Sequence, residues 1–175
     1  LVLFVSALST VVLVATRGQE PGRGDPPAKT ALFDGKTLNG WTTRSGDPVT
    51  KGWVVEDGCL FRQSSGGSIF TEEEYADFIF DLEWKISPGG NSGIKYRFTR
   101  YGSMWNGPEY QILDDEGHPD ARRGQGDRAV ACLYDILKAD TREAYRKAGE
   151  WNTTRIVARG PRVEHWLNGV LVLSY

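Results

Sequence analysis

From residue 31 onward the apolar positions come in short runs that alternate with polar ones. The clearest run is FIFDLEWKI, residues 78–86. Phe78, Phe80, Leu82, Trp84 and Ile86 fall on one side, and Ile79, Asp81, Glu83 and Lys85 on the other. A period of two describes a strand with one face on a core and one toward polar surroundings. Residues 94–99 repeat it, with Ile94, Tyr96 and Phe98 set against Lys95 and Arg97. Residues 109–113, 151–158 and 162–167 read the same way, and a further short strand is expected around 131–134. Asp57-Gly58 and Asn168-Gly169 each sit between two such runs and mark two-residue hairpins, whose turns need residues that tolerate positive φ. Asp34-Gly35, residues 64–68 and Pro88-Gly89-Gly90-Asn91 mark further turns. Residues 140–148 are charged and predict a loop or a short surface helix. With no αβ alternation, phosphate-type glycine loop, long amphipathic helix or internal repeat, the pattern predicts an all-β sandwich.

The beginning of the chain reads differently. Residues 1–15, LVLFVSALSTVVLVA, are apolar and uncharged, yet shorter than the roughly 20 residues of a membrane span. They fit the apolar region of a secretory signal, although no initiator Met or basic segment precedes them. A retained membrane anchor is the alternative. Residues 16–30 are rich in Pro, Gly and charge and read as a flexible linker, which leaves residues 31–175 as the folded domain. An exported protein of the periplasm, cell envelope or extracellular space is expected, with no stable membrane insertion once the signal is removed. Export would permit a disulfide, but Cys59 and Cys132 both lie in apolar, strand-like contexts and are expected as buried thiols. Lys and Arg total 21 against 23 Asp and Glu, a net charge of −2, which argues against a nucleic-acid partner. Six Trp and seven Tyr can serve both a core and sugar stacking.

Alternation also locates candidate chemistry. Glu109 and Gln111 share a strand face, Glu83 lies on a polar face with Asp81 and Lys85, and Lys95 and Arg97 share another. Were these strands neighbours, one surface would gather carboxylates, an amide and cations, a set suited to sugar hydroxyls and to acid–base work. The plain alternative is a solvated sheet face with ordinary cross-strand ion pairs. His165 lies within a strand, where a near-neutral imidazole can act as a base, but it shares its face with Val163 and Leu167. The loop DDEGHPD, residues 114–120, is dense in oxygen donors. It makes Asp114, Asp115 and His118 candidates for a divalent metal ion, the one cofactor considered, although solvated acidic loops are common. Asn91-Ser92-Gly93 reads first as turn chemistry.

Several segments together resemble the 3-keto-disaccharide hydrolase family. They are LFDGKTLNGW at 32–41, GWVVEDGCL at 52–60, EEYADFIFDLEWKISPGGNSGIKYR at 73–97, GPEYQILDDEGHPD at 107–120, GEWNTTRIVARG at 149–160 and VEHWLNGV at 163–170. The resemblance implies a concanavalin A-like jelly-roll sandwich with a sugar cleft on a concave sheet. It also implies cleavage of 3-keto-disaccharides or 3-keto-glycosides, by elimination followed by hydration. In that frame Glu109, His165 and Glu83 are the catalytic candidates, with Glu109 or His165 taking the proton at sugar carbon 2. Arg97, Gln111, Asn91 and Tyr134 are the substrate-binding candidates, and Glu83, Arg97, Glu109, Gln111 and His165 are expected on one face. Because the family usually continues past the HWLNG hairpin, a chain truncated at the C-terminus is also expected. A non-catalytic carbohydrate-binding module remains the alternative, since such a fold serves both, and a structural domain of the cell envelope is a third reading.

Overall fold

The computed structural model describes residues 2–5, 9–12, 30–101 and 104–175. Fourteen strands are found among them: β1 Val2–Val5, β2 Ser9–Val12, β3 Trp41–Thr42, β4 Trp53–Glu56, β5 Cys59–Arg62, β6 Ile69–Thr71, β7 Phe78–Ile86, β8 Asn91–Lys95, β9 Thr99–Tyr101, β10 Met104–Asn106, β11 Glu109–Leu113, β12 Asn152–Arg159, β13 Arg162–Leu167 and β14 Val170–Ser174. The helical content of the described residues is one 3-10 turn at Pro119–Arg122. A seven-stranded sheet runs β14-β13-β12-β7-β2-β5-β4, a five-stranded sheet runs β11-β8-β1-β6-β3, and β9 with β10 forms a separate hairpin. Neighbouring strands are antiparallel throughout.

The two sheets pack face to face, as alternation requires. β7 buries Phe78, Phe80, Leu82, Trp84 and Ile86 on its inner face. β12 adds Ile156 and Ala158, β13 adds Val163 and Leu167, and the five-stranded sheet answers with Ile69, Ile94, Tyr110 and Ile112. Tyr110 of the five-stranded sheet reaches the other sheet directly, its ring 4.8 Å from that of His165. Both hairpin turns form as their residues demand: Asp57 and Gly58, and Asn168 and Gly169, all have positive φ. The indole N–H groups of the deep tryptophans find partners, Trp41 on Leu32 O and Trp53 on Gly67 O.

Two strand expectations meet a different outcome. Residues 131–134 are turns, with an isolated bridge at Leu133 and Ala131 at φ 63°. The segment still lines the free edge of β11 through its backbone, Ala131 N donating to Gln111 O and Gln111 N to Cys132 O. Residues 140–148 form turns, the loop of the two forms expected. The strand expected over 94–99 ends at Lys95, because Arg97 turns to φ 46°. The apolar stretch that reads as an export signal carries β1 and β2, since a short uncharged apolar run suits an interior strand as well as a signal core. Residues 16–29 of the expected linker lie outside the described residues. Both cysteines are free thiols, Cys132 buried and Cys59 only partly so.

Trp84 is fully buried and donates its indole N–H to Thr154 Oγ1 across the β7–β12 pair at 2.9 Å. Replacing it with Ala opens a large cavity and leaves the Thr154 hydroxyl without this partner. Trp84→Ala is expected to lower stability by about 3–5 kcal/mol in a urea titration.

Candidate active site

The outer face of the five-stranded sheet carries the polar cluster. β8 and β11 pair so that Glu109 lies opposite Lys95, and Gln111 opposite Gly93. Glu109 Oε2 is 2.7 Å from Lys95 Nζ, and both side chains are largely covered. The Glu109 carboxyl leans over Gly93, where any Cβ would collide with Oε1. A residue with no side chain at 93 is therefore what lets the carboxylate lie across the sheet.

A hydrogen-bonded chain continues along this face. Gln111 donates through Nε2 to Asn91 Oδ1 at 3.2 Å, and Asn91 donates through Nδ2 to Asp120 Oδ2 at 3.4 Å. Tyr134 OH reaches the same Asp120 oxygen at 3.2 Å, and Arg123 holds the other at 3.1 Å. Arg128 stacks over the Tyr134 ring. Gln111 is buried, and its Oε1 has no hydrogen-bond partner among the described residues. A buried acceptor left open beside a carboxylate–ammonium pair is a costly feature of this face. Tyr134 comes from the loop that runs along β11, Tyr134 N donating to Glu109 O.

The structure thus unites Glu109, Gln111, Asn91 and Tyr134, and adds Lys95, Asp120 and Arg123. The other candidates stand elsewhere, and the expectation of one shared face for Glu83, Arg97, Glu109, Gln111 and His165 is not met. Glu83 is exposed on β7, in the other sheet, opposite Thr153 of β12. Arg97 leaves its strand and binds Ala76 O at 2.8 Å, Gly160 O and Asp77 Oδ1 at 2.7 Å, stapling two turns together. Asp114 accepts from Gly89 N at 2.7 Å and Glu116 N at 3.2 Å. Asp115 accepts from Val130 N at 2.8 Å and pairs with Arg142 at 2.9 Å. His118 accepts from Asp120 N at 3.1 Å. The donors of this trio serve separate backbone amides and one guanidinium. Among the described residues no group of three His, Cys, Asp or Glu side chains is placed to hold a metal ion, so these residues do not fit the metal site expected of them.

His165 faces the core between the sheets, fully buried. Its Nδ1 lies 2.9 Å from Ala131 O, which can only accept, so Nδ1 carries the proton. Nε2 then accepts from Tyr96 OH at 2.6 Å, and Tyr96 accepts from Tyr175 OH at 2.6 Å. Burial pushes the imidazole down to about 4, against a smaller opposing effect of the Ala131 bond. It is a neutral tie between sheets, with both ring nitrogens engaged.

Residues 28–175 match the family described as the 3-keto-alpha-glucoside-1,2-lyase-like domain. The chain belongs to that family. A 3-keto-disaccharide hydrolase of Bacteroides thetaiotaomicron is 37% identical over 166 residues, covering 82% of this chain and 57% of the relative. The chain therefore spans little more than half the length of that relative. Two crystal structures of proteins from Parabacteroides distasonis, both described as candidate glycosyl hydrolases, share the fold. One has a TM-score of 0.73 at 32% identity, covering 83% of this chain and 70% of that one. The other has 0.67 at 30%, covering 78% and 66%.

The buried imidazole is expected to make this domain acid-sensitive. An unfolded His165 titrates near 6.5, so between about pH 6.5 and 4 the unfolded chain binds a proton that the native state refuses. This contribution leaves stability unaltered above about pH 6.5 and lowers it progressively as the pH falls through that window. The total is roughly 3 kcal/mol, at about 1.4 kcal/mol per pH unit. Urea midpoints recorded from pH 7.5 to 4 should show this loss, and His165→Asn should flatten it. An unchanged slope in the variant would place the acid sensitivity on another group.

Proposed function

We propose that this domain cleaves glycosides whose sugar has been oxidised to a ketone at carbon 3, with Glu109 as the base. The observation that carries this reading is the Glu109 carboxylate laid over Gly93 beside the Lys95 ammonium. A 3-keto group acidifies the C–H at carbon 2. Glu109 takes that proton, and the electron pair of the broken C–H bond passes into an enolate. Lys95 supplies the positive charge that steadies the developing oxyanion. The enolate collapses to a C1–C2 double bond as the anomeric C–O bond breaks, and the departing oxygen takes up a proton. Water then adds across the new double bond, its oxygen to carbon 1 and a proton to carbon 2, releasing the 3-keto sugar. Gln111 would border the sugar from beneath, while Asn91 and Tyr134 hold its amide and the neighbouring loop in place.

The family, the Bacteroides relative and the two glycosyl hydrolase neighbours support this activity. It is tested by incubating the full natural protein with a 3-keto-disaccharide and measuring released sugar. Glu109→Gln keeps the shape and removes the basic carboxylate, so turnover should fall roughly 10²–10⁴-fold, with much less change in sugar affinity. Gly93→Ala should reproduce the turnover defect by displacing the carboxyl. Binding without release in the unaltered protein would instead support a carbohydrate-binding module, and full turnover in Glu109→Gln would remove Glu109 as the base.

Export is proposed as well, on the strength of the apolar, uncharged residues 1–15. N-terminal sequencing of exported protein should begin downstream of residue 13. Mature material that retains residues 2–12 would instead make β1 and β2 permanent parts of the sheets.

A further inference from the structure

The outer face of the seven-stranded sheet, on the side of the sandwich away from Glu109, carries a basin of about 350 Å³ lined by β7, β12 and β13. That volume lies within the roughly 300–1,000 Å³ of small-molecule sites. Strand register lays its side chains out as a grid. Arg162, Glu164 and Trp166 of β13 stand opposite Arg159, Val157 and Arg155 of β12. Val157 and Arg155 in turn stand opposite Ile79 and Asp81 of β7. Val157 and Ile79 form an apolar centre surrounded by charge.

The charges do not balance. Arg155 is committed to Asp81 through two bonds, at 2.6 and 3.0 Å, and Arg162 to Glu164 at 3.0 Å. Arg159 has no ion pair among the described residues and faces Arg162 directly across the strands. Like charges in directly opposed positions destabilise a sheet. Three guanidiniums against two carboxylates leave one positive charge over an apolar patch. Trp166 donates its indole N–H to Glu164 Oε2 at 3.0 Å, so its apolar surface is what it offers a ligand.

We propose that this basin binds an acidic saccharide. The carboxylate of a uronic acid unit lies against Arg159 and Arg162, and the C–H face of its ring covers Val157, Ile79 and Trp166. A bare anion would neutralise Arg159 and leave the apolar centre wet, whereas a neutral sugar would cover the centre and leave the like-charge pair unrelieved. This site is independent of the polar cluster around Glu109 and lies on the opposite sheet.

The test is calorimetric titration of the full natural protein with trigalacturonic acid, maltotriose and sodium acetate. The acidic trisaccharide should bind saturably, at least about tenfold more tightly than either control, and more weakly as salt rises. Arg159→Ala and Trp166→Ala, both surface changes whose folding circular dichroism can verify, should each weaken it at least about tenfold. Arg159→Lys should retain part of the affinity, and Glu109→Gln should leave it unchanged. No saturable binding, equal affinity for maltotriose or acetate, or undiminished binding in Arg159→Ala would overturn the proposal. Loss of binding in Glu109→Gln would move the ligand to the other face and overturn it equally, without bearing on whether Glu109 cleaves 3-keto-glycosides.

Discussion

The interior of the sandwich turns on one directed chain of hydrogen bonds, from Tyr175 through Tyr96 and His165 to Ala131 O. Its members come from the end of the chain, the segment after β8, β13 and the loop beside β11, so it joins both sheets to the loop that delivers Tyr134. Every proton in it has one place, because the carbonyl at its end can only accept. Buried polar groups are costly when left without a hydrogen bond, and this chain satisfies the ring nitrogens of His165 and the Tyr96 hydroxyl at once. The position of the polar cluster outside the sheet thus depends on a polar chain inside it.

Much of the fold was legible because sheets advertise themselves through a period of two and through turns that need particular residues. Phe78–Ile86 could be read almost side chain by side chain, and its inner face is buried as expected. The loop at 131–134 was harder, because its pairing with β11 is made by backbone groups and leaves no alternation in the side chains. Ala131 and Asp135 at positive φ gave no warning, since neither is a glycine.

The site was half legible for a related reason. Alternation separates two faces of a strand but does not say which sheet the strand joins. That is why Glu83 and Glu109, both on outward faces, end up in different sheets. Arg97 escaped because its backbone abandons the strand two residues after Lys95. The sign for His165 was present, since its face-mates Val163 and Leu167 are core residues by type. Asp114 and Asp115 looked like metal ligands because Asp is equally suited to accepting from backbone amides, as it does here. Lys95 was visible as a cation beside Arg97, but only register shows that it meets Glu109.

Gly93 leaves a gap on β8 that the Glu109 carboxyl fills. A glutamate side chain that becomes fixed surrenders rotamer freedom worth up to about 1.5–2 kcal/mol. Pressed onto a strand and tethered to Lys95, Glu109 surrenders that freedom when the chain folds and has little left to lose when a ligand arrives. Disorder that a looser side chain would have to give up during each encounter has been removed beforehand, by the one amino acid that has no side chain to contribute.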